Sequence, residues 1–270
     1  MRDFLTDLSP EALIMAVENN VKEIFGLMRL VPSVELHEEP HLHWSISNLA
    51  HPIFNSVMRA TLAPDQVESV IDSLLTRYRS RYVPVLWRVG PSSSPPDLAS
   101  RLEARGFIDV GTLMGFALDL HTLDSSPSLT QGFTVERVLD PTRLRDWRLV
   151  LLATNELPRA VADEYVFRIG IASVRLGLPY FHYVGYLNGV PVATSSLFLG
   201  GGVAGLYNVA TIPSHRGRGF ATAVTLAALE DARARGYRVA VLESEDNADR
   251  IYRRLGFEEQ CRTKGYAWIP

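Results

Sequence analysis

The sequence has almost no cysteine and almost no lysine. Cys261 is the only cysteine in 270 residues, which excludes an internal disulfide and any metal site made of paired cysteines. Lysine occurs only twice, and we attribute the arginine excess to genomic bias. Basic residues number 27 against 30 acidic ones, so the formal charge is -3. Such a chain has no global positive field to attract nucleic acid, although a small basic cluster could still bind a small anion.

An uninterrupted apolar run is also missing. No Asp, Glu, Lys or Arg occurs from Leu176 to Ser214, but a membrane helix needs roughly 20 consecutive apolar residues. Asn188-Gly189 and the glycines at 200–202 divide this stretch, and Asn-Gly is typical of a tight hairpin. We therefore predict an antiparallel meander and no membrane association. The predicted strands cover 182–187, 190–199 and 203–212.

Acidic residues interrupt the beginning of the chain, at Asp3, Asp7 and Glu11, which is not typical of a secretory leader. Together with the near absence of cysteine, this predicts a cytoplasmic protein.

The C-terminal third reads as alternating helix and strand. Residues 221–235 are rich in Ala and Leu and end before Gly236, as a helix does. Residues 238–243 read as a buried strand, and the helical connection implies that it runs parallel to strand 203–212. The remaining predicted elements are a first strand at 133–138, one or two helices within 141–175 broken near Pro158, a short helix from Asn247 to Leu255, and two short strands around Cys261 and at 266–269.

Four features occur in the same order in both halves of the chain. Gly-Phe at 106–107 precedes Gly-Phe at 115–116, and Gly256-Phe257 precedes Gly-Tyr at 265–266 with the same spacing. Three further pairs of segments correspond: the helix ends at 102–105 and 252–255, the strands 83–87 and 239–243, and the runs at 60–64 and 210–213. We infer a duplicated domain. The predicted organisation is a first copy at 1–121, a linker at 122–131 and a second copy at 132–270.

The clearest chemical motif is Ser214-His-Arg-Gly-Arg-Gly-Phe-Ala221, where a strand enters a loop that opens a helix. The first N–H groups of a helix have no internal partners, so that end attracts anions. Gly217 and Gly219 allow close approach of a phosphate, and Arg216 and Arg218 add paired donors. The alternative to a phosphate site is a solvent-exposed basic turn that binds no ligand. A Walker loop is excluded because no Lys follows the last glycine, and a dinucleotide loop because Thr222 replaces its third glycine.

This loop and a second motif resemble the GNAT N-acetyltransferase superfamily. Residues 209–221 match its Arg/Gln-x-x-Gly-x-Gly/Ala motif, and residues 247–257 match its next motif at the expected distance. The resemblance covers about 132–270 and is weak in the first half. It implies an α/β fold: two tandem copies, each a mixed, mostly antiparallel sheet with flanking helices and a central splayed pair of parallel strands. The coenzyme would lie in that cleft, between 203–212 and 238–243.

Carried over to this sequence, the resemblance implies an acetyl-CoA site. The backbone of Val209 and Thr211 would pair with the pantetheine arm, and the amides of 216–221 would hold the pyrophosphate. Tyr252 would be the catalytic acid that protonates the departing thiolate, as a buried phenol can do. The residues expected to bind the coenzyme are Val209, Ala210, Thr211, Arg216, Gly217, Arg218, Gly219, Phe220, Ala221 and Asn247.

The base that accepts the amine proton stays unassigned, since the strand segment 206–209 offers no carboxylate. A water-mediated base or an already neutral amine is equally consistent with the sequence. The candidates are Glu156, Asp163, Glu164, His182 and Glu243.

The first half lacks this chemistry. Residues 64–68 replace the loop without glycine or arginine and with two carboxylates, and Leu102 stands at the tyrosine position. Pro84 falls in the predicted central strand, where it would remove a ladder donor. We expect a degenerate copy without cofactor that supplies packing or a wall of the acceptor site. The spacing of His37, His41, His43 and His51 matches no standard metal site, so we expect no metal.

The expected function is direct transfer of acetyl from acetyl-CoA to a primary amine of a small molecule or peptide, by a monomer or homodimer. Cys261 lies outside both motifs, so no covalent intermediate is implied. The alternative is a non-catalytic acyl-CoA-binding or regulatory module. Binding of RNA by the Arg-Gly loop is disfavoured by the net charge.

Overall fold

The computed structural model describes residues 4–124, 130–154, 158–245 and 249–270. The chain is an α/β protein. Its α-helices are α1 (Pro10–Phe25), α2 (Val67–Arg81), α3 (Leu98–Glu103), α4 (Pro141–Ala153), α5 (Arg159–Tyr165), α6 (Ile171–Leu176), α7 (Phe220–Ala234) and α8 (Asp249–Arg254). Its strands are β1 (Val34–Glu39), β2 (Leu42–Ser47), β3 (Ser56–Met58), β4 (Val85–Val89), β5 (Ile108–Asp119), β6 (Phe133–Arg137), β7 (Tyr180–Leu187), β8 (Val190–Gly200), β9 (Val203–Thr211), β10 (Val239–Ser244) and β11 (Glu258–Trp268).

The chain forms two compact units. The large unit comprises 1–24, 116–242 and 247–259, and the small unit comprises 25–115, 243–246 and 260–270. Strand β5 passes through both units, and the C-terminal end of the chain belongs to the small unit. The units therefore do not follow the linker at 122–131, and the assignment of 1–121 and 132–270 as two copies stays a prediction.

The sheet of the large unit contains the predicted meander. Strands β6, β7, β8 and β9 pair antiparallel in that order, and β10 pairs parallel with β9. The β7–β8 hairpin turns at Asn188 and Gly189, whose φ values are 49° and 80°, as a tight Asn-Gly turn requires. The last part of β5 lies on the other side of β10.

Strands β9 and β10 stay paired over a short distance only. The register joins Ala240 to Ala204 and Val241 to Gly205, and no further pair is formed between the described residues of these strands. Because β9 continues to Thr211, its C-terminal part has no β10 partner. This is the splayed parallel pair that the family resemblance implies.

The small unit repeats the same plan. Strands β1, β2 and β3 pair antiparallel, and β4 runs parallel to β3. Helix α2 connects β3 to β4 as α7 connects β9 to β10, and α3 and α8 follow. Strand β11 pairs antiparallel with β4. From β1 and from β7 onward the two halves have the same order of elements, whereas β6 has no counterpart before β1 among the described residues.

Two sequence predictions are wrong in detail. The predicted C-terminal pair of short strands is one continuous strand, β11, and Gly265 lies inside it, where a Cβ would meet Val110 Cγ2 at 3.1 Å. Pro84 lies just before β4, so the proline removes no donor from that strand.

The predicted break in the helical region near Pro158 is confirmed, since α4 ends at Ala153 and α5 begins at Arg159. A π-helical turn at 166–170 then leads into α6.

Across the described ranges, no helix combines the length and the apolar character needed to cross a bilayer. The same part of the chain contains no group of three or more metal-binding side chains. His37 instead stacks on Trp44, with ring centroids 3.8 Å apart, and His51 Nδ1 accepts a hydrogen bond from Ile53 N–H.

Candidate active site

The glycine loop of the large unit opens helix α7 without any side-chain cap. Gly219 is the N-cap residue with φ of 79°, and no side chain in the described part of the chain caps the first turn of the helix. Helix α4 differs, because Asp140 caps it by accepting from the N–H groups of Thr142 and Arg143. The amides of the first turn of α7 therefore remain available to an anion.

Both loop glycines are needed for their backbone conformation. Gly217 and Gly219 have φ values of 75° and 79°, which side chains rarely adopt. A Cβ placed on either one would meet nothing within 4 Å, so open space lies against the loop backbone. A phosphate group can approach this backbone closely.

The two loop arginines lie differently. Arg216 donates from Nε to the carbonyl of Thr211 at 3.1 Å and borders the cavity described below. Arg218 lies over the ring of Phe220, with Cζ 4.9 Å from the centroid, and does not border that cavity. Phe220 itself is buried against Phe133, with ring centroids 4.4 Å apart. Only its backbone can contact a ligand.

The end of β9, the glycine loop and α8 enclose a cavity of about 690 Å³. This volume is typical of a small-molecule site. Of the residues expected to bind the coenzyme, Arg218 does not border the cavity, and Asn247 lies outside the described residues. The cavity is lined by Val209, Ala210, Thr211, His215, Arg216, Gly217, Gly219, Phe220, Ala221, Thr222, Arg250, Ile251, Tyr252, Arg254 and Leu255.

A bulge in β9 shapes the strand wall of the cavity. Thr194 faces Ala210 and Ser196 faces Tyr207, so two residues of β9 lie opposite one residue of β8. Asn208 occupies the bulge with φ of 51°. Its carbonyl accepts from Thr194 Oγ1 at 3.0 Å, and its Nδ2 donates to the Tyr180 hydroxyl at 2.6 Å. Hydrogen bonds of both the backbone and the side chain of Asn208 thus stabilise the bulge.

One polar atom in the strand wall has no partner. Thr211 is buried, and its Oγ1 makes no hydrogen bond within the described residues. Buried polar atoms are normally paired, so an orphaned hydroxyl at the cavity wall indicates a polar ligand. The cavity, the uncapped amides and this hydroxyl fit a phosphorylated ligand with a polar arm.

Tyr252 lies on α8 and is buried at the cavity wall, with 9% of its surface exposed. Its ring meets Phe257 edge-on, with centroids 6.0 Å apart. The structure therefore brings the predicted catalytic acid and the glycine loop to the same cavity.

Three of the candidate bases are engaged in ion pairs. Glu243 accepts from Arg88 Nη2 with both oxygens, at 2.6 and 2.5 Å. Asp163 pairs with Arg148, and Glu164 lies 3.4 Å from Arg168. Glu156 lies outside the described residues.

His182 is fully buried and neutral. Ser173 donates to the Gly170 carbonyl at 2.6 Å, so its oxygen accepts from His182 Nε2, and Ser196 Oγ lies 2.8 Å from Nδ1. Burial lowers the pKa of this imidazole from 6.5 to about 3. A histidine in this environment cannot take up the proton of an amine near neutral pH.

The corresponding position in the small unit is filled by an ion pair. Glu68, in the first turn of α2, pairs with Arg101 at 2.9 Å and lies 3.9 Å from Arg105, both from the α3 region. Leu102, at the tyrosine position, is fully buried. An internal carboxylate thus lies where the large unit offers space for an anion.

The cavity also contains residues that the sequence motifs did not identify. These are Arg250 and Arg254, which border the cavity from α8. Their spacing of four residues on one helix face is the signal that could have identified them.

Comparisons with known proteins agree with this fold. Residues 148–257 match the model of the acetyltransferase (GNAT) family. A search of curated proteins finds no significant match. The fold is similar to a GCN5-related N-acetyltransferase from Kribbella flavida, with 21% identity, coverage of 93% of this chain and 95% of that chain, and a TM-score of 0.71.

Two further solved structures share the fold. A tandem GNAT protein from the clavulanic acid biosynthesis pathway has 16% identity, covers 98% of this chain and 95% of its own, and gives a TM-score of 0.64. A GCN5-related N-acetyltransferase from Sphaerobacter thermophilus has 18% identity, coverages of 96% and 91%, and a TM-score of 0.63. The chain thus has the GNAT fold over most of its length, and its residues 148–257 match the model of the GNAT acetyltransferase family.

Proposed function

We propose that this protein transfers the acetyl group of acetyl-CoA to a primary amine of a small molecule or peptide. The observation that carries the proposal is the cavity that joins the uncapped start of α7 to Tyr252. The first requirement of such a transfer is an anion site for the coenzyme, and the second is a proton donor at the thioester end. The cavity wall offers both.

The residues divide this work by position. The amides at the start of α7, between Gly217 and Ala221, bind the pyrophosphate, with Arg216 as a charged donor. The bulged end of β9 presents Val209 and Thr211 to the pantetheine arm, because β10 no longer pairs with that part of the strand. This arrangement directs the thioester towards the buried part of the cavity.

Tyr252 donates its phenolic proton to the sulfur as the bond between sulfur and the acetyl carbon breaks. A thiolate is a better leaving group when it is protonated as it departs, and general acids of this kind contribute roughly 10²–10⁴-fold. The amine attacks the acetyl carbon directly, since no thiol nucleophile lies in the motifs. The amine proton leaves through water, because the described candidate bases are paired or, in the case of His182, cannot be protonated.

The first half of the chain binds no coenzyme in this proposal. The sequence of residues 64–68 supports it, since this segment has no glycine or arginine to hold a phosphate and has two carboxylates.

Thermal unfolding with and without acetyl-CoA tests the coenzyme site. We expect acetyl-CoA to raise the Tm of the wild type and Gly219→Glu to abolish that rise, because the new carboxylate lies against the loop backbone. Gly177→Glu is the matched control: Gly177 also has positive φ (62°) and open space at its Cβ, but it ends α6. An unchanged rise in Gly219→Glu would contradict the site.

Release of free thiol with a panel of amines, antibiotics and peptides tests the transfer itself. Thiol release that depends on one class of amine supports catalysis and identifies the acceptor. Coenzyme binding without thiol release from any acceptor would favour the alternative, a non-catalytic acyl-CoA-binding module, for which the absence of a carboxylate at 206–209 is the supporting observation.

A further inference from the structure

The α8 wall of the cavity has two arginines that the proposed chemistry does not use. Arg250 and Arg254 are four residues apart, both border the cavity, and both are exposed. Residues at this spacing lie on the same face of a helix. Arg253 lies between them in sequence but outside the cavity, where it pairs with Asp249 at 2.6 Å and Glu259 at 2.9 Å.

Positive charge at the cavity is unbalanced. Among the described residues, three arginines line it, at positions 216, 250 and 254, and no carboxylate does. None of the three forms an ion pair with any residue in the described part of the chain. Positive charges that surround one cavity attract an anion from outside the chain.

The pyrophosphate alone does not account for this charge. Its two negative charges are matched by the amides at the start of α7 and by Arg216, all on the loop side of the cavity. Arg250 and Arg254 lie on the α8 side. On the same helix, Tyr252 is buried whereas the arginines are exposed, which sets the reacting end of the ligand inside and its nucleotide end outside.

We propose that Arg250 and Arg254 bind the 3′-phosphate of coenzyme A, and that they make the site selective for coenzyme A over dephospho-coenzyme A. The inference rests on the proposed function. A terminal phosphate has a charge near -2 and three acceptor oxygens, which suits two guanidinium groups on adjacent turns of a helix.

Calorimetry with coenzyme A and dephospho-coenzyme A, at one fixed ionic strength, tests this selectivity. We expect the wild type to bind coenzyme A on the order of 10²-fold more tightly, about tenfold for each charged contact. In the double variant Arg250→Met and Arg254→Met, the ratio of the two Kd values should fall close to one. Its Kd for dephospho-coenzyme A should stay within about threefold of the wild-type value, which also reports that the variant is folded.

Arg253→Met is the control on the same helix, and it should keep the wild-type ratio. Equal binding of both ligands by the wild type would overturn this inference and leave the proposed function intact. An equal loss of affinity for both ligands in the double variant would overturn it as well. If neither ligand binds to the wild type, the proposed function fails together with the inference.

Discussion

Tyr252 is buried on α8 and still borders the cavity. Its hydroxyl can therefore donate a proton to a ligand while its ring packs against Phe257. The edge-on contact with Phe257 involves the ring alone. A phenylalanine at this position keeps that contact and removes the hydroxyl group together with its acidic proton. The substitution therefore separates the chemical role of the residue from its packing role.

We expect Tyr252→Phe to lower kcat on the order of 10²-fold and to leave the Kd for acetyl-CoA nearly unchanged. Steady-state thiol release and calorimetry measure the two quantities on the same sample. Near-normal kcat would remove the tyrosine from the mechanism.

His182 is a buried residue whose burial predicts a pH effect on stability. Its pKa is about 3 in the folded protein against 6.5 for an exposed imidazole, so between these values only the unfolded chain binds the proton. The contribution of His182 to the free energy of unfolding is therefore fully present above pH 6.5 and is lost as the pH falls from 6.5 towards 3.

Between pH 7 and pH 5 we expect the free energy of unfolding to fall by about 2 kcal/mol from His182 alone. Urea unfolding at both pH values measures the change. His182→Asn should be less stable at pH 7 and should lose this part of the pH dependence. An equal fall in wild type and variant would show that other groups cause it.

At the scale of single elements, the bulge in β9 connects a local backbone feature to the cavity. Asn208 adopts positive φ, which Asn tolerates and a β-branched residue does not. A straightened strand would move the next residues, Val209 and Thr211, out of register with β8. The cavity wall depends on this one position.

We expect Asn208→Val to destabilise the fold by about 1–3 kcal/mol and to weaken acetyl-CoA binding at least tenfold, whereas Asn208→Gly keeps most of the affinity. Asn188→Val is the matched control, since Asn188 has φ of 49° in the β7–β8 turn, away from the cavity. Calorimetry and Tm distinguish the variants. Equal affinity in Asn208→Val and Asn188→Val would contradict the role of the bulge.

At the scale of the whole molecule, the two halves share most of their element order but differ at the anion site. Helices α7 and α2 both start without a side-chain cap, but α7 follows a glycine loop, whereas α2 has Glu68, paired with Arg101, in its first turn. We expect calorimetry on the full chain to give one bound acetyl-CoA per chain. Two bound molecules would refute the degeneracy of the first half.

Much of the large unit could be predicted from local patterns. The observed bounds of the meander, α7 and β10 lie within two residues of the predicted ones. The turns of the meander are marked by Asn188-Gly189 and by the glycines at 200–202, and α7 is marked by its Ala-rich sequence. All of these are local signals. Strand β11 was predicted as two short strands, because Gly265 looks like a break until its packing against Val110 is known. Glycine in a strand is ambiguous without its neighbours.

The sequence by itself determined the glycine loop before a helix, the correspondence of four features in the two halves and the lack of a carboxylate at 206–209. These depend on residue type and spacing along the chain. Only the tertiary structure decided that β9 and β10 separate after Gly205, that His182 is buried and neutral, and that Arg250 and Arg254 face the same cavity as the loop. Strand pairing, burial and the meeting of two cavity walls arise from contacts between residues far apart in sequence, which no local pattern specifies.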